Sequence, residues 1–400
     1  MNYDGGGINY LYKADMDIDA MARKKALPPF SDAVVRFLGG LSETVLENPE
    51  CRRYNDIASF AFFIRKQNLN KMRDELLDGR TRVGRGLAYH IAPSNVPVNF
   101  AYSLAAGLLG GNANIVKVSS KNFPQVRLLC GLIAGLLSDG KHDDIKEYIA
   151  VIQYNNERAI NDYLSSICQT RLIWGGDGTI AEIRKSKLPP RGVDITFADR
   201  YSVCVIDVCA YINSNEKDKI AAAFYNDTYG FDQDACFSPR LVYWVDGAGQ
   251  AEKAKRDFWA RLNVYAEQRY NLEDAAASEK YISACRMAVN NDNVHIIEKY
   301  GNLIVRCEVN ELNEDIVDYS CGGGFFIEYT APDLDGLANI CSKKLQTISS
   351  YGYDKMELVN YIINSGCPGA DRITEIGKAH EFSLIWDGVN LITALSRIIM

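Results

Sequence analysis

Cys236 stands in the run Gly230-Phe231-Asp232-Gln233-Asp234-Ala235-Cys236-Phe237-Ser238-Pro239-Arg240, a polar, turn-prone stretch. It leads straight into the apolar segment Leu241-Val242-Tyr243-Trp244-Val245. Small and polar neighbours leave the sulfur room to face a substrate. A thiolate so placed is a nucleophile able to take an acyl group as a thioester. The alternative is a buried, inert thiol, which is what most free cysteines are.

Three other stretches carry side chains suited to binding or charge stabilisation. Ser94-Asn95-Val96-Pro97 falls between a predicted strand and a predicted helix. An Asn amide there can donate to a developing oxyanion, and Ser and Asn also suit a helix N-cap. Lys117-Val118-Ser119-Ser120-Lys121 ends the next strand, where a lysine and hydroxyls suit a ribose or phosphate, or form a solvated basic turn. Gly175-Gly176-Asp177-Gly178-Thr179 joins a strand to a helix, so its backbone N–H groups can meet a pyrophosphate or simply close a turn. From Gly176 to Ala181 the spacing is G-x-G-x-x-A, and Asp199 lies where a ribose-binding acid would follow. No G-x-S-x-G elbow is present. The four histidines, His90, His142, His295 and His380, are far apart in sequence, so no zinc-type ligand spacing exists. His90 lies inside an apolar run and reads as a core residue.

The elements that must position these residues alternate in type. Strands are predicted over 86–92, 113–118, 148–154, 171–174, 194–197 and 202–208, with helices over 97–109, 124–137, 157–167 and 179–185 between the first five. Strands separated by single helices need crossover connections, which gives a doubly wound, mainly parallel α/β sheet. A second α/β series follows: helix 217–229, strand 240–246, helices 248–266 and 274–289, short strands 303–305 and 325–327, helix 333–343, strand 345–351 and helix 354–364. The tail ends in a helix over 391–399. The domains expected are a mixed, mainly helical region 1–84 packing on the first sheet, a cofactor domain 85–210, a domain 211–365 carrying Cys236, and a segment 366–400 returning to the domain interface.

Composition bounds the partners. The net charge of −7 argues against general affinity for nucleic acid or anionic membrane. No apolar run is long enough for a membrane span, and residues 1–7 lack the basic and apolar regions of a signal peptide. A cytoplasmic address follows. The 11 cysteines are scattered, without a C-x-x-C pair, and read as reduced thiols rather than a disulfide framework. No metal site is expected.

Taken in order, these pieces resemble the aldehyde dehydrogenase superfamily, and within it the acyl-CoA reductase branch, the fatty acid reductases of bacterial bioluminescence (the LuxC family). The resemblance rests on Ala92-Pro93-Ser94-Asn95-Val96-Pro97, on 114–121, on Ile173-Trp174-Gly175-Gly176-Asp177, on 233–240, and on Gly369-Ala370-Asp371-Arg372-Ile373 with Trp386-Asp387-Gly388. It implies two doubly wound α/β domains of aldehyde-dehydrogenase type. It implies Cys236 as nucleophile and Asn95 as oxyanion donor. It also implies a nicotinamide cofactor held by Ser94, Lys117, Ser119, Ser120, Gly175, Gly176, Asp177 and Thr179.

Oxidising members carry a Glu before Gly-Gly-Lys that activates water. The stretch here is Thr196-Phe197-Ala198-Asp199-Arg200-Tyr201, with no clear counterpart, which favours reduction of a thioester. Ser120 and Lys121 stand where a ribose-binding carboxylate is common, so NADPH is expected over NADH by charge complementarity. The substrate implied is acyl-CoA or an acylated partner protein, such as an acyl-protein synthetase, and the assembly implied is a homo-oligomer. Two other readings stay open. One is an NAD(P)-dependent aldehyde dehydrogenase working in the oxidising direction, with Asp199 or another acid activating water. The other is a non-catalytic binding protein on the same fold.

Overall fold

The computed structural model describes residues 7–155 and 157–400. Residues 1–6, the greater part of the stretch expected to lack signal-peptide character, lie outside them. The chain divides into two compact units. One runs to Asp199 and takes in Phe382–Met400, and the other is Arg200–Glu381.

In the first unit the elements in chain order are β1 Asn9–Lys13, α1 Ile18–Ala22, α2 Asp32–Glu47, α3 Asn55–Phe63, α4 Lys66–Leu76 and β2 Arg82–Gly84. Next come β3 Leu87–Ile91, α5 Asn99–Leu109, β4 Ala113–Lys117, α6 Pro124–Ser138 and β5 Ile149–Gln153. Then α7 Arg158–Ile167, β6 Thr170–Trp174, α8 Asp177–Ile183 and β7 Val193–Phe197 complete the run. Among the described residues these strands, β2 excepted, form a six-stranded sheet, order β1-β5-β4-β3-β6-β7. It is parallel except for β1, which runs antiparallel to β5. β1 was not expected. Its side chains are exposed or half-buried, so it lacks the apolar run that marks the interior strands. β3 is buried at all five positions, as a strand covered on both faces must be. Helix α5 lies close on β4, because a Cβ at Gly107 would stand 1.9 Å from Asn114 Oδ1.

The second unit contains β8 Tyr201–Asp207, α9 Val208–Asn213, α10 Lys217–Asp227, β9 Pro239–Val245, α11 Ala251–Glu267 and α12 Asp274–Asn290. β10 Val294–Tyr300, β11 Ile304–Val309, β12 Phe325–Ala331, β13 Leu345–Tyr351, α13 Lys355–Asn364 and β14 Arg372–Glu375 follow. Residues 335–340 form a 3-10 turn where a longer helix, 333–343, is predicted. The seven-stranded sheet has the order β10-β11-β12-β9-β8-β13-β14, parallel except for β10. Alternate residues of β8 and β9 feed two cores. Tyr201, Val203, Val205, Leu241 and Tyr243 pack on one face, and Cys204, Ile206, Val242 and Trp244 on the other.

The boundaries differ from those predicted. β8 pairs with β9 and β13 at the middle of the second sheet, so the second unit starts at Arg200 rather than 211. Only three residues join β7 to β8, and a short connection carries no composition shift that would mark a domain change. The tail 366–400 is divided too. β14 extends the second sheet beside β13, while residues 382–400 belong to the first unit. There a hairpin, β15 Ile385–Trp386 with β16 Val389–Asn390, precedes α14 Leu391–Leu395 and β17 Ser396–Ile398, which pairs antiparallel with β2. The predicted helix 391–399 thus ends four residues early, where the chain turns into a strand.

The cysteine reading also needs correction at two positions. Cys341 and Cys367 are joined in a disulfide with Cα atoms 5.2 Å apart, while the other nine cysteines are free. Sequence spacing could not pair them, since 26 residues separate the two and α13 lies between.

Candidate active site

Strand order brings three predicted segments to one end of the first sheet. Residues 94–97 follow β3, 117–121 end β4, and 175–179 follow β6, and these strands are neighbours in the order β4-β3-β6. The chain reverses its direction of travel across the sheet at β3, so this is the carboxyl-end switch point where open parallel sheets bind ligands. Ser94 and Asn95 are exposed there. The Lys117 ammonium lies 4.6 Å from the centre of the Tyr154 ring, and burial pushes its pKa down. Gln153 Nε2 donates to the Ser119 carbonyl (2.6 Å), and the Lys121 backbone N–H donates to Ser119 Oγ (3.2 Å), which fixes the turn. Ser120, Lys121, Asp177 and Thr179 are exposed.

At the glycine turn, a Cβ on Gly176 would meet Asp199 Oδ2 at 2.7 Å. Asp199 therefore lies against this turn. Backbone N–H groups beside a carboxylate suit a ribose diol better than a diphosphate. Below the turn a buried polar chain ties the strands together. Trp174 Nε1 donates to Ser103 Oγ (2.9 Å), Ser103 Oγ meets His90 Nδ1 (2.7 Å), and His90 Nε2 meets Asn114 Oδ1 (3.0 Å). Burial pushes the His90 pKa down to about 4. The imidazole is thus neutral and structural, in the way its apolar strand predicts.

Cys236 belongs to the second unit, where its loop lies at the amino ends of β8, β9 and β13. The loop begins with two consecutive left-handed residues, Asp232 (φ 53°) and Gln233 (φ 59°). Gln233 is 2% exposed and uses both ends of its amide. Its Nε2 donates to the carbonyls of Pro239 (2.8 Å) and Phe325 (3.0 Å), and its Oε1 accepts from the N–H groups of Gly324 (2.9 Å) and Phe325 (3.1 Å). Gly324 (φ +92°) has no room for a side chain, since a Cβ would meet the Leu303 carbonyl oxygen at 2.1 Å. With the loop so anchored, Cys236 itself is half-buried. Gln346 Nε2 donates to its sulfur (3.2 Å), and the Ser202 hydroxyl donates to its carbonyl (2.7 Å).

A polar cluster around the buried Asp227 adjoins the loop. The Asp227 carboxylate accepts from Gly377 N (2.5 Å) and Ala379 N (2.9 Å) and meets His380 Nδ1 (3.2 Å). Arg372 donates to the carbonyls of Ala379 (2.7 Å), Lys378 (2.9 Å) and Glu381 (2.7 Å). Burial lowers the pKa of Arg372, while Asp227, Glu381 and Cys236 favour its charged form. Sequence reasoning missed Gln346, Asp227 and His380 and gave Arg372 no role. A polar Gln at the start of the apolar run 345–351 was the one available signal. Among the described residues no group of three or more His, Cys, Asp or Glu side chains could hold a metal ion, and no helix is long and apolar enough to cross a membrane.

The family described as "Acyl-CoA reductase (LuxC)" matches residues 65–398. The chain belongs to that family. Relatives include the long-chain acyl-protein thioester reductase of Photorhabdus luminescens, 23% identical over 306 residues (74% of this chain, 59% of the relative). The Vibrio harveyi protein of the same name is 24% identical over 314 residues (74% and 60%). The chain thus spans about 60% of the length of these LuxC-family relatives. Among solved structures, 1-pyrroline-5-carboxylate dehydrogenase of Thermus thermophilus matches with TM-score 0.62 and 12% identity, covering 96% of this chain and 81% of that one. Aldehyde dehydrogenase 21 of Physcomitrella patens matches with TM-score 0.61 and 11% identity (95% and 85%). The fold is that of the aldehyde dehydrogenases.

Proposed function

We propose that this chain takes a fatty acyl group from a thioester onto Cys236 and releases it as the aldehyde, using a reduced nicotinamide cofactor. The observation that carries the reading is the anchored, half-buried Cys236 in a chain of the acyl-CoA reductase family. The relatives are named for acyl-protein thioesters, so an acylated partner protein stands beside acyl-CoA as donor.

The loops at the carboxyl ends of β3, β4 and β6 fit a dinucleotide in kind: a lysine, hydroxyls and a side-chain-free turn beside an acid. Ser94, Lys117, Ser119, Ser120, Gly175, Gly176, Asp177 and Thr179 would hold it, with Lys121 favouring NADPH. When bound, it supplies the hydride. Cys236 attacks the acyl carbon as a thiolate, forming an S–C bond, and the donor thiol leaves. The Asn95 amide and the Cys236 backbone N–H are assigned to the oxyanion, at about 3 kcal/mol per donor. After reduction the C–S bond breaks, its electron pair returns to sulfur, and aldehyde departs. Asp199, the acid considered for activating water, packs on the Gly176 turn, and the stretch 196–201 has no clear counterpart of the water-activating Glu, which favours reduction over hydrolysis.

The test is acyl-thioester-dependent NADPH oxidation with aldehyde detection, for acyl-CoA and for acylated protein. Cys236→Ala should abolish turnover and leave NADPH binding intact. Normal turnover by that variant overturns the reading.

A further inference from the structure

The reaction above needs a sulfur that is ionised when it attacks and that leaves readily at the end. The second unit shows how one strand attends to both. Gln346, the second residue of β13, is 2% exposed. A buried amide in that position must find partners, and its Nε2 donates to Cys236 Sγ at 3.2 Å. The next residue acts on the other end of the same cysteine. Thr347 N–H donates to Ser202 Oγ (3.2 Å), and that hydroxyl donates to the Cys236 carbonyl (2.7 Å). Consecutive residues of β13 thus hold the sulfur directly and the carbonyl through Ser202.

The backbone is irregular where this happens. The pairing of β13 with β8 slips between Leu345 and Ile348, and that of β8 with β9 slips between Ser202 and Val203. Both irregularities touch Ser202 or its partners on β13. A bulge re-aims side chains and releases backbone groups from the ladder. Here it gives Thr347 N–H to a hydroxyl and Gln346 to the sulfur. Thr347 also pairs with Arg372 across the β13–β14 register, so the cation is carried on the adjacent strand.

We propose that Gln346 is the positioning residue of the Cys236 sulfur, holding it as a thiolate by an N–H donated from the bulge of β13, with Arg372 as the charge behind it. This rests on the reading of Cys236 as the acylated nucleophile. The donor prefers the charged sulfur over the thiol. In acyl transfer the sulfur gives its electron pair to the new S–C bond, and the donor's C–S bond breaks to release a thiolate that takes a proton from solvent. After hydride reduction the Cys236 C–S bond breaks, the pair returns to sulfur, and the Gln346 N–H again meets an anion. Gln346 therefore assists at both steps. The other titratable groups around this site are Asp227 at the end of α10, His380 and Glu381 after β14, Asp232 and Asp234 on the loop itself, and the Arg200–Asp371 pair at the entry to β13. Substitution of Gln346 by Leu leaves all of these in place.

The experiment follows iodoacetamide alkylation of Cys236, identified by peptide mass, from pH 5 to 10. Wild type, Gln346→Leu, Gln346→Asn and Arg372→Lys are compared. The wild-type midpoint should lie below the ordinary thiol value of about 8.5. Gln346→Leu should raise it by about one unit, which is roughly tenfold slower labelling near neutral pH. Gln346→Asn, whose amide falls one methylene short, should give a smaller rise, and so should Arg372→Lys, which keeps a cation but cannot span the carbonyls of Lys378, Ala379 and Glu381. A wild-type midpoint at or above the ordinary value, or an unmoved midpoint in folded Gln346→Leu, overturns the proposal. The wild-type arm needs no variant to fold. Labelling does not depend on turnover, so it separates from the Cys236→Ala result. If that variant reduces acyl thioesters, the functional reading fails while the Gln346–sulfur link is still judged by its own titration.

Discussion

Two buried polar side chains do opposite work in this molecule. Gln233 uses its whole amide to hold backbone, so the Cys236 loop keeps a left-handed start that side chains otherwise resist. His90 holds other side chains and must remain neutral to do so, since burial lowers its pKa from 6.5 to about 4. The consequence for stability has a definite sign. Between pH 6.5 and 4 the unfolded chain binds a proton at this residue that the folded chain refuses. Stability is therefore fully present above pH 6.5 and falls as pH drops toward 4, by about 3 kcal/mol in total from this group. Urea midpoints measured from pH 7.5 to 4 should show that slope, and His90→Gln should flatten it. An unchanged slope in the variant would mean that other groups carry the acid sensitivity. Of the candidate site residues, Cys236 was legible as a candidate because a polar run before an apolar strand is a local pattern. Gln346 was not, because its partner lies 110 positions away and only the sheet brings them together.

At the scale of elements, the stretch that carries β13 and α13 is closed twice. Cys341 and Cys367 bracket it covalently, and the Ala370 N–H donates to the Leu345 carbonyl (2.7 Å) at the start of β13. That carbonyl also accepts from Arg200 Nη2 (2.7 Å). The entry to the strand that carries Gln346 is thus fixed just before its bulge. Thiol titration in denaturant should count nine free cysteines before reduction and eleven after it. Eleven from the start would show that the pair is reduced in the isolated protein. Closing a loop of this length stabilises by about 3 kcal/mol in the chain-entropy account, so Cys341→Ser should lower the urea midpoint accordingly. The interior strands of both sheets and most of their helices were legible, since crossover spacing and apolar runs are local. The edge strands β1, β10 and β14 and strand β17 were not. Each is short or half-exposed and is defined by its partner rather than by its own pattern.

For the molecule as a whole, the first unit is not contiguous in sequence, which no local signal reports. The first unit is completed by residues that follow the entire second unit. Leu391, Ile392, Leu395 and Trp386 are buried in it. Asn112 Nδ2 donates to the Leu395 carbonyl (3.0 Å), Arg85 Nε donates to the Ala394 carbonyl (2.7 Å), and β17 closes on β2. Each buried apolar side chain contributes about 1.5–3 kcal/mol, so the four together contribute on the order of 6–12 kcal/mol. A domain's whole stability is about 5–15 kcal/mol. A chain ending at Glu381 should therefore lose the first unit's fold despite retaining every one of its central strands. Hydrogen exchange resolved by peptide should show β3, β4 and β6 unprotected in that truncation and protected in the full chain. Undiminished protection of those strands would mean that residues 382–400 only decorate the unit. The intermediate case is read with Leu395→Asp in the full chain, which puts a charge where the chain packs on Gly110. A Cβ there would stand 2.7 Å from that of Leu395, which is fully buried, so the carboxylate would be placed against backbone away from water, and protection of the same strands should fall.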